Sequence, residues 1–178
     1  MHIVLDLDET LISSQDFNVI LRPNLKEFME FCFSNFETVS IWSAAESSYV
    51  NRIASHILPT DKNFMFIYTR SQCKNIKTDS PQNEFSLNYK TCKPLSKMWR
   101  RSPARKIGMN KRNTIIIEDT PSNCVENYSN AIYIDEFNGQ KTDRWLLDLM
   151  DYLKTDILNL KDVRSVEKRM WRILRCCF

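Results

Sequence analysis

Residues 4 to 11, VLDLDETL, pose the question that decides the fold of this chain. Ile3, Val4, Leu5 and Leu7 read as a core strand, yet Asp6, Asp8 and Glu9 crowd its end. Carboxylates are costly in an apolar interior unless a cation holds them. Asp6 and Asp8 are one residue apart, so on an extended chain they share a face. At the end of a strand both can approach one divalent cation, through a side chain and either a second side chain or a backbone carbonyl.

Working outward, the pattern alternates. Pro23 and Asn24 precede LKEFMEFCFSNF, whose Leu25, Phe28, Met29, Phe31, Cys32 and Phe36 have helical spacing, and TVSIW at 38 to 42 is a second buried strand ending at Ser43. Residues 45 to 57 read as a helix stopped by Pro59, and FMFIY at 64 to 68 as a strand. A polar stretch from 69 to 90 reads as an excursion or hairpin over the surface, and long excursions of this kind are often functional. A short helix begins at LSKMW, TIIIE at 114 to 118 and AIYI at 131 to 134 are strands, and helices are expected at about 142 to 153 and, basic and amphipathic, at about 160 to 175. Strands alternating with helices predict an α/β fold: one parallel sheet with helices on both faces, in a single domain over 1–178. Ligands of such folds sit beyond the carboxyl ends of the strands, where Asp6, Ser43 and Asp119 each fall.

Composition narrows the function. The 178 residues are 43% hydrophobic and 26% charged, ordinary for a globular domain. No apolar run reaches the ~18 residues of a membrane span, and the N-terminus lacks a signal peptide's basic and apolar regions, so an intracellular setting, cytoplasmic or nuclear, is expected. Only Gly108 and Gly139 are glycines, which argues against glycine-rich nucleotide loops. Six cysteines without a CxxC pair and two histidines, His2 and His56, indicate neither a zinc site nor a disulfide framework. The terminal Cys176-Cys177-Phe178 does not fit the usual prenylation box. From Lys90 to Arg112 there are nine basic residues and no acidic one, a solvated face or a platform for an anionic partner.

A second acidic pair, Glu118-Asp119, follows the TIII strand. If that strand neighbours the first, two acidic clusters meet at one edge of the sheet, and a hard cation such as Mg²⁺ relieves their repulsion. These pieces occur in an order that resembles a known family. VLDLDETLISS, LRPNLKEFMEFCFSNFETVSIWSAAESSYV, KPLSK and IIIEDTPSN resemble, in turn, the four motifs of the haloacid dehalogenase superfamily of phosphotransferases. Within it, they look like the NLI-interacting-factor-like protein phosphatases that act on the C-terminal domain of RNA polymerase II. The likeness covers roughly residues 2 to 153. Ser43 stands where threonine is frequent, and Glu118 where aspartate is usual.

The resemblance implies an HAD-like sheet with a small insert between the second and third motifs, at about 58–90. It implies Asp6 as nucleophile through an aspartyl-phosphate, and Asp8 as the acid and then the base. Mg²⁺ would be held by Asp6, the Asp8 backbone carbonyl and Asp119, with Glu118 behind them. Ser43 and a lysine would bind the phosphoryl group, Lys93 aligning best and Lys90 and Lys97 being the alternatives, while Thr10 would brace the first loop or touch phosphate. Arg22 is expected to support the fold or the active-site rim, and Tyr68 and Arg70 are expected on the substrate rim.

The implied substrate is a phosphorylated protein or peptide, with the polymerase tail as the family-level expectation. The basic run suits nucleic-acid ends equally well, which leaves a nucleic-acid or small-metabolite phosphatase as the alternative, and a non-catalytic binding module as the second. The chain begins two residues before its first strand and reads as a bare catalytic core, an economy that would suit a viral genome.

Overall fold

The structure is a computed structural model, and it describes residues 1–15, 18–77 and 89–172. Strands β1 (His2–Leu5), β4 (Thr38–Trp42), β5 (Ile67–Tyr68), β8 (Thr114–Glu118) and β9 (Ala131–Tyr133) form one parallel sheet in the order β5-β4-β1-β8-β9. The first strand of the chain is therefore central, flanked by the two that carry the other motifs. In that register Leu5 lies level with Ile41 and Ile117, so the residues that follow these three strands emerge at one edge.

Period-2 alternation sorts the strand side chains between two cores. Ile3, Leu5, Val39, Ile41, Ile115, Ile117 and Ile132 face helices α1 (Leu25–Asn35), α2 (Ser47–Ile57) and α5 (Trp145–Tyr152). Val4, Trp42, Ile116 and Ala131 face the other way, toward Leu95, Met98, Ala104 and Met109 around the short helices α3 (Ser96–Trp99) and α4 (Ser102–Lys106). Helices therefore cover both faces, as the buried runs of the sequence require. In α1 the buried Leu25, Phe28, Met29 and Cys32 follow i, i+3, i+4, i+7, and Val50, Ile53, Ala54 and Ile57 repeat the pattern in α2.

Two antiparallel hairpins decorate the sheet: β2 (Ile12–Gln15) with β3 (Asn18–Leu21), directly after the first motif, and β6 (Lys74–Lys77) with β7 (Tyr89–Cys92). The expected insert at 58–90 thus divides. Ile67–Tyr68 is an edge strand of the main sheet, and the hairpin proper starts at Lys74, with 78–88 outside the described residues.

From 160 to 170 the expected basic helix does not form, and helical residues begin only at Trp171 and Arg172, the last two described. α5 runs on as a π-type turn over Leu153–Ile157, and beyond it Val163–Ser165 is a short 3-10 turn, with 173–178 outside the described residues. Tertiary bonds take the groups that a helix would need. The Val163 N–H donates to the Arg112 carbonyl at 2.8 Å, and the buried Lys168 ammonium donates to the carbonyls of Val163 and Val166 at 2.6 and 2.7 Å. Trp171 then stacks on Tyr152 and meets Trp145 edge-on, with centroids 5.0 and 5.7 Å away. The segment is a strap sewn into the core.

Among the described residues no helix is long and apolar enough to cross a membrane.

Candidate active site

The sheet delivers three motifs to one place because β1, β4 and β8 are neighbours and end together. Asp6 follows β1 and is tied to its neighbour by its N–H, which donates to the Ile117 carbonyl at 3.1 Å. The chain then folds tightly, with the N–H groups of Thr10, Leu11 and Ile12 all converging on the Leu7 carbonyl and Glu9 in the left-handed region at φ 58°. The β9–α5 connection braces this loop, since Phe137 donates its N–H to the Glu9 carbonyl at 2.7 Å.

Lys93 arrives from the other side, just after β7. Its ammonium donates to Asp6 Oδ1 at 2.5 Å and to Glu118 Oε2 at 2.7 Å, in a setting where the lysine and Glu118 are fully buried. Burial alone would push the Lys93 pKa down, but Asp6 and Glu118 outweigh it and hold the ammonium well above its ordinary value. One cation between two carboxylates leaves an uncompensated negative charge. Burial first, and Glu118 second, accordingly push the Asp6 carboxyl well up, with Lys93 opposing.

The oxygens of Asp6, Glu118 and Asp119 lie within 4.8 Å of one another, in a set suited to a hard cation. Glu118 is the most committed of the three, because its Oε1 also accepts from Asn123 Nδ2 at 3.0 Å. Asp119 is half-buried and is steadied by the Thr10 hydroxyl on Oδ1 at 2.8 Å and the Thr120 hydroxyl on Oδ2 at 2.7 Å. Thr10 is therefore a brace in this structure, joining the first motif to the last.

Asp8 turns the other way. Its Oδ2 accepts from the Ser43 hydroxyl at 2.9 Å and its Oδ1 from the Tyr49 hydroxyl at 2.7 Å. Asp6, Asp8, Glu9, Ala44, Ala45, Arg70, Lys93, Asp119, Thr120 and Asn123 line a cleft of about 210 Å³. Glu9 is pushed up to about 7 by burial first, then by Asp8, Asp119 and Glu136, a further sign of how acidic this cleft is.

A family model described as NLI interacting factor-like phosphatase matches residues 1–164. The chain belongs to that family. The phosphatase relatives include the "Probable C-terminal domain small phosphatase" of Dictyostelium discoideum, 30% identical over 184 residues that cover 92% of this chain and 53% of the relative. The "Ubiquitin-like domain-containing CTD phosphatase 1" of Danio rerio is 26% identical, covering 95% of this chain and 53% of that protein. The chain thus spans about half the length of these curated relatives.

Among solved structures, Fcp1, an essential RNA polymerase II CTD phosphatase, superposes with TM-score 0.53 at 15% identity, over 98% of this chain and 61% of that one. An uncharacterized protein from Listeria monocytogenes serotype 4b gives 0.57 at 17%, over 86% and 96%. At these identities the structures speak for the HAD-like α/β fold.

Within this phosphatase domain the candidate residues separate cleanly. Asp6, Asp8, Ser43, Lys93, Glu118, Asp119 and Thr10 converge. Of the three lysines, only Lys93 reaches the cleft: Lys90 is exposed, and Lys97 donates to the carbonyls of Gln72 and Cys73. Arg70 does stand on the rim, with its Nε on the Ala44 carbonyl at 2.8 Å.

Of the two readings open to Arg22 the structure gives support of the fold, and the rim expectation for Tyr68 is overturned. Arg22 is buried under the first loop, where its guanidinium holds the Thr10 and Asp135 carbonyls and both oxygens of Asp143. Tyr68 is also buried, its ring edge-on to Trp42 and its hydroxyl accepting from Arg101 Nε at 3.2 Å.

Three further residues hold the site together, though the sequence reading assigns them no role. Asn123 and Asn127 align the lysine: the Asn123 carbonyl accepts the Lys93 N–H at 2.7 Å, and Asn127 Nδ2 donates to the Lys93 carbonyl at 2.5 Å. Tyr49 lies on a helix whose pattern marks only the buried face. Asn123 and Tyr49 both fall inside stretches already singled out, IIIEDTPSN and the block ending SAAESSYV, whereas nothing local marks Asn127.

Proposed function

We propose that this protein is a Mg²⁺-dependent phosphatase of phosphoserine and phosphothreonine in proteins, working through an aspartyl-phosphate on Asp6. The observation that carries this reading is the buried Asp6–Lys93–Glu118 cluster, with Asp119 beside it and Asp8 across the cleft on Ser43. Asp6, Asp119 and the Asp8 backbone carbonyl would hold Mg²⁺, with Glu118 supporting them. When bound, the ion neutralises charge on the phosphoryl oxygens and favours the ionised, nucleophilic form of Asp6.

Asp6 attacks phosphorus in line, forming a P–O bond to its carboxylate as the bond to the serine oxygen breaks. The leaving oxygen takes a proton from Asp8, which a serine alkoxide needs because it is a poor leaving group. Lys93 and Ser43 donate to the equatorial phosphoryl oxygens, where negative charge lies in the transition state. Water then attacks the same phosphorus, Asp8 takes its proton, and Asp6 is regenerated as inorganic phosphate leaves.

A phosphoprotein substrate is supported by the relatives named for CTD phosphatase activity, and the polymerase tail is the first peptide to try. The open cleft with Arg70 on its rim suits an extended phosphorylated chain. Free thiols at Cys32, Cys73, Cys92 and Cys124 are compatible with an intracellular setting, cytoplasmic or nuclear. The test is phosphate release from a phosphoserine peptide, with and without Mg²⁺, for the wild type and Asp6→Asn. Release that needs both the ion and Asp6 is expected. Folded protein that releases phosphate from neither a peptide nor an aryl phosphate would refute it, and faster release from a 3′-phosphorylated oligonucleotide would move the substrate to nucleic acid.

A further inference from the structure

The Ser43 hydroxyl has two claimants. Its oxygen accepts the Ala45 N–H at 3.0 Å, which fixes where the oxygen sits, and its single proton goes to Asp8 Oδ2 at 2.9 Å. The reaction proposed above asks the same proton to serve a phosphoryl oxygen. A hydroxyl donates one hydrogen bond at a time, so engaging the phosphoryl group releases Asp8 Oδ2.

The released oxygen is the one that can carry the proton for the leaving group. At that moment the other oxygen, Oδ1, still accepts from the Tyr49 hydroxyl at 2.7 Å. Tyr49 lies on α2, six residues after Ser43, so one strand-to-helix turn supplies both donors. It is half-buried, with the Arg52 guanidinium over its ring at 5.8 Å. A phenolic hydroxyl has one proton to donate, and here that proton is directed at Asp8 Oδ1. Ser14 of the β2–β3 hairpin supports the hydroxyl from the outside.

We propose that Tyr49 is the positioning residue of the acid: it keeps the Asp8 carboxyl group aimed while Ser43 is given over to the phosphoryl group. This inference rests on the phosphatase reading. Tyr49 touches neither phosphate nor leaving group. It acts through Asp8, whose Oδ2 proton passes to the serine oxygen as the P–O bond breaks and is replaced from the attacking water.

A positioning role for the acid predicts dependence on the leaving group. An aryl oxygen with a low pKa leaves without a proton, whereas a serine oxygen does not. The experiment compares kcat/KM for a phosphoserine peptide and for p-nitrophenyl phosphate in the wild type, Tyr49→Phe and Asp8→Asn. This constant reports the steps up to transfer onto Asp6 and excludes the later water step. For Tyr49→Phe the loss on the peptide is expected to exceed the loss on the aryl phosphate by about 10-fold or more, a share of the ~10²–10⁴ carried by a general acid, with Asp8→Asn showing the larger split. Equal losses on both substrates, or no loss on either, would overturn the proposal.

Should Tyr49→Phe fail to fold, Ser14→Ala at the exposed hairpin edge is expected to move the same ratio in the same direction by about 2-fold, and an unmoved ratio would then overturn it. Wild-type protein inactive on both substrates would instead sink the phosphatase reading itself.

Discussion

Replacing Arg22 with methionine should cost stability far more than it alters substrate binding. The guanidinium makes four hydrogen bonds: Nε and Nη2 to the two oxygens of Asp143 at 3.0 and 2.8 Å, Nη1 to the Thr10 carbonyl at 2.9 Å, and Nη2 to the Asp135 carbonyl at 2.9 Å. Its side chain is 0% exposed and that of Asp143 is 7% exposed. Removing one partner of a buried pair leaves the other charge uncompensated, worth about 3–5 kcal/mol. Each carbonyl orphaned out of reach of water adds about 1–3 kcal/mol.

For a domain stable by ~5–15 kcal/mol, Arg22→Met should therefore lose at least about 3 kcal/mol, read as a lower urea midpoint at unchanged m. Asp143→Leu in the same chain removes the stranded carboxylate, so the double variant should be less damaged than the two single losses added together, with a coupling of about 2–3 kcal/mol. The remaining loss belongs to Thr10 and Asp135. A single-variant loss under about 1 kcal/mol, or simple additivity in the cycle, would refute the assignment of Arg22 as a buried brace. So would a normal melting curve with a raised KM, which is what a rim residue would give.

Trp171→Ala should cost about 3–5 kcal/mol in chemical denaturation, because the ring is buried between Tyr152 and Trp145; a loss under 1 kcal/mol would mean the strap is not part of the core. Lys93→Met should lower phosphate release about 10²–10³-fold, and Mg²⁺ should raise its melting temperature more than that of the wild type, since two buried carboxylates have lost their cation; an equal response would show that Lys93 does not neutralise the cluster. Thr10→Val keeps the volume but removes the hydroxyl on Asp119, so the Mg²⁺ concentration for half-maximal activity should rise about 10-fold, and an unchanged titration would remove Thr10 from the metal's support.

His2 is buried, and its pKa is lowered by that burial first and by the N-terminal ammonium second, with Glu37 opposing. Its stabilising share is full above the ordinary value of 6.5 and is lost as the pH falls from there toward the folded value, because the unfolded chain then binds a proton that the folded one does not. Urea midpoints at pH 7.5 and 5.5 should thus differ less in His2→Gln than in the wild type; equal slopes would count against it.

Much of this protein is local and therefore legible in its sequence. The runs at Ile3 to Leu5, 38 to 42 and 114 to 118 can only be strands buried on both faces, and i, i+3, i+4, i+7 spacing marks α1 and α2. Parallel strands carry chemistry at their carboxyl ends, so the places of Asp6, Ser43 and Asp119 just past predicted strands already point to one edge of the sheet.

Only the tertiary structure decides what depends on partners distant in sequence. Lys93 rather than Lys90 or Lys97 enters the cleft because the carbonyl of Asn123 and the side-chain amide of Asn127, some thirty residues on, hold its backbone. Arg22 leaves the rim because Asp143, 121 residues away, offers a buried carboxylate that no local pattern announces. The segment after Ile157 has amphipathic helical spacing, yet the Arg112 carbonyl, the Lys168 ammonium and the Tyr152 ring take its backbone groups and its tryptophan instead. Helix spacing is a local free-energy preference of a few tenths of a kcal/mol per residue, and a handful of buried long-range bonds outweighs it.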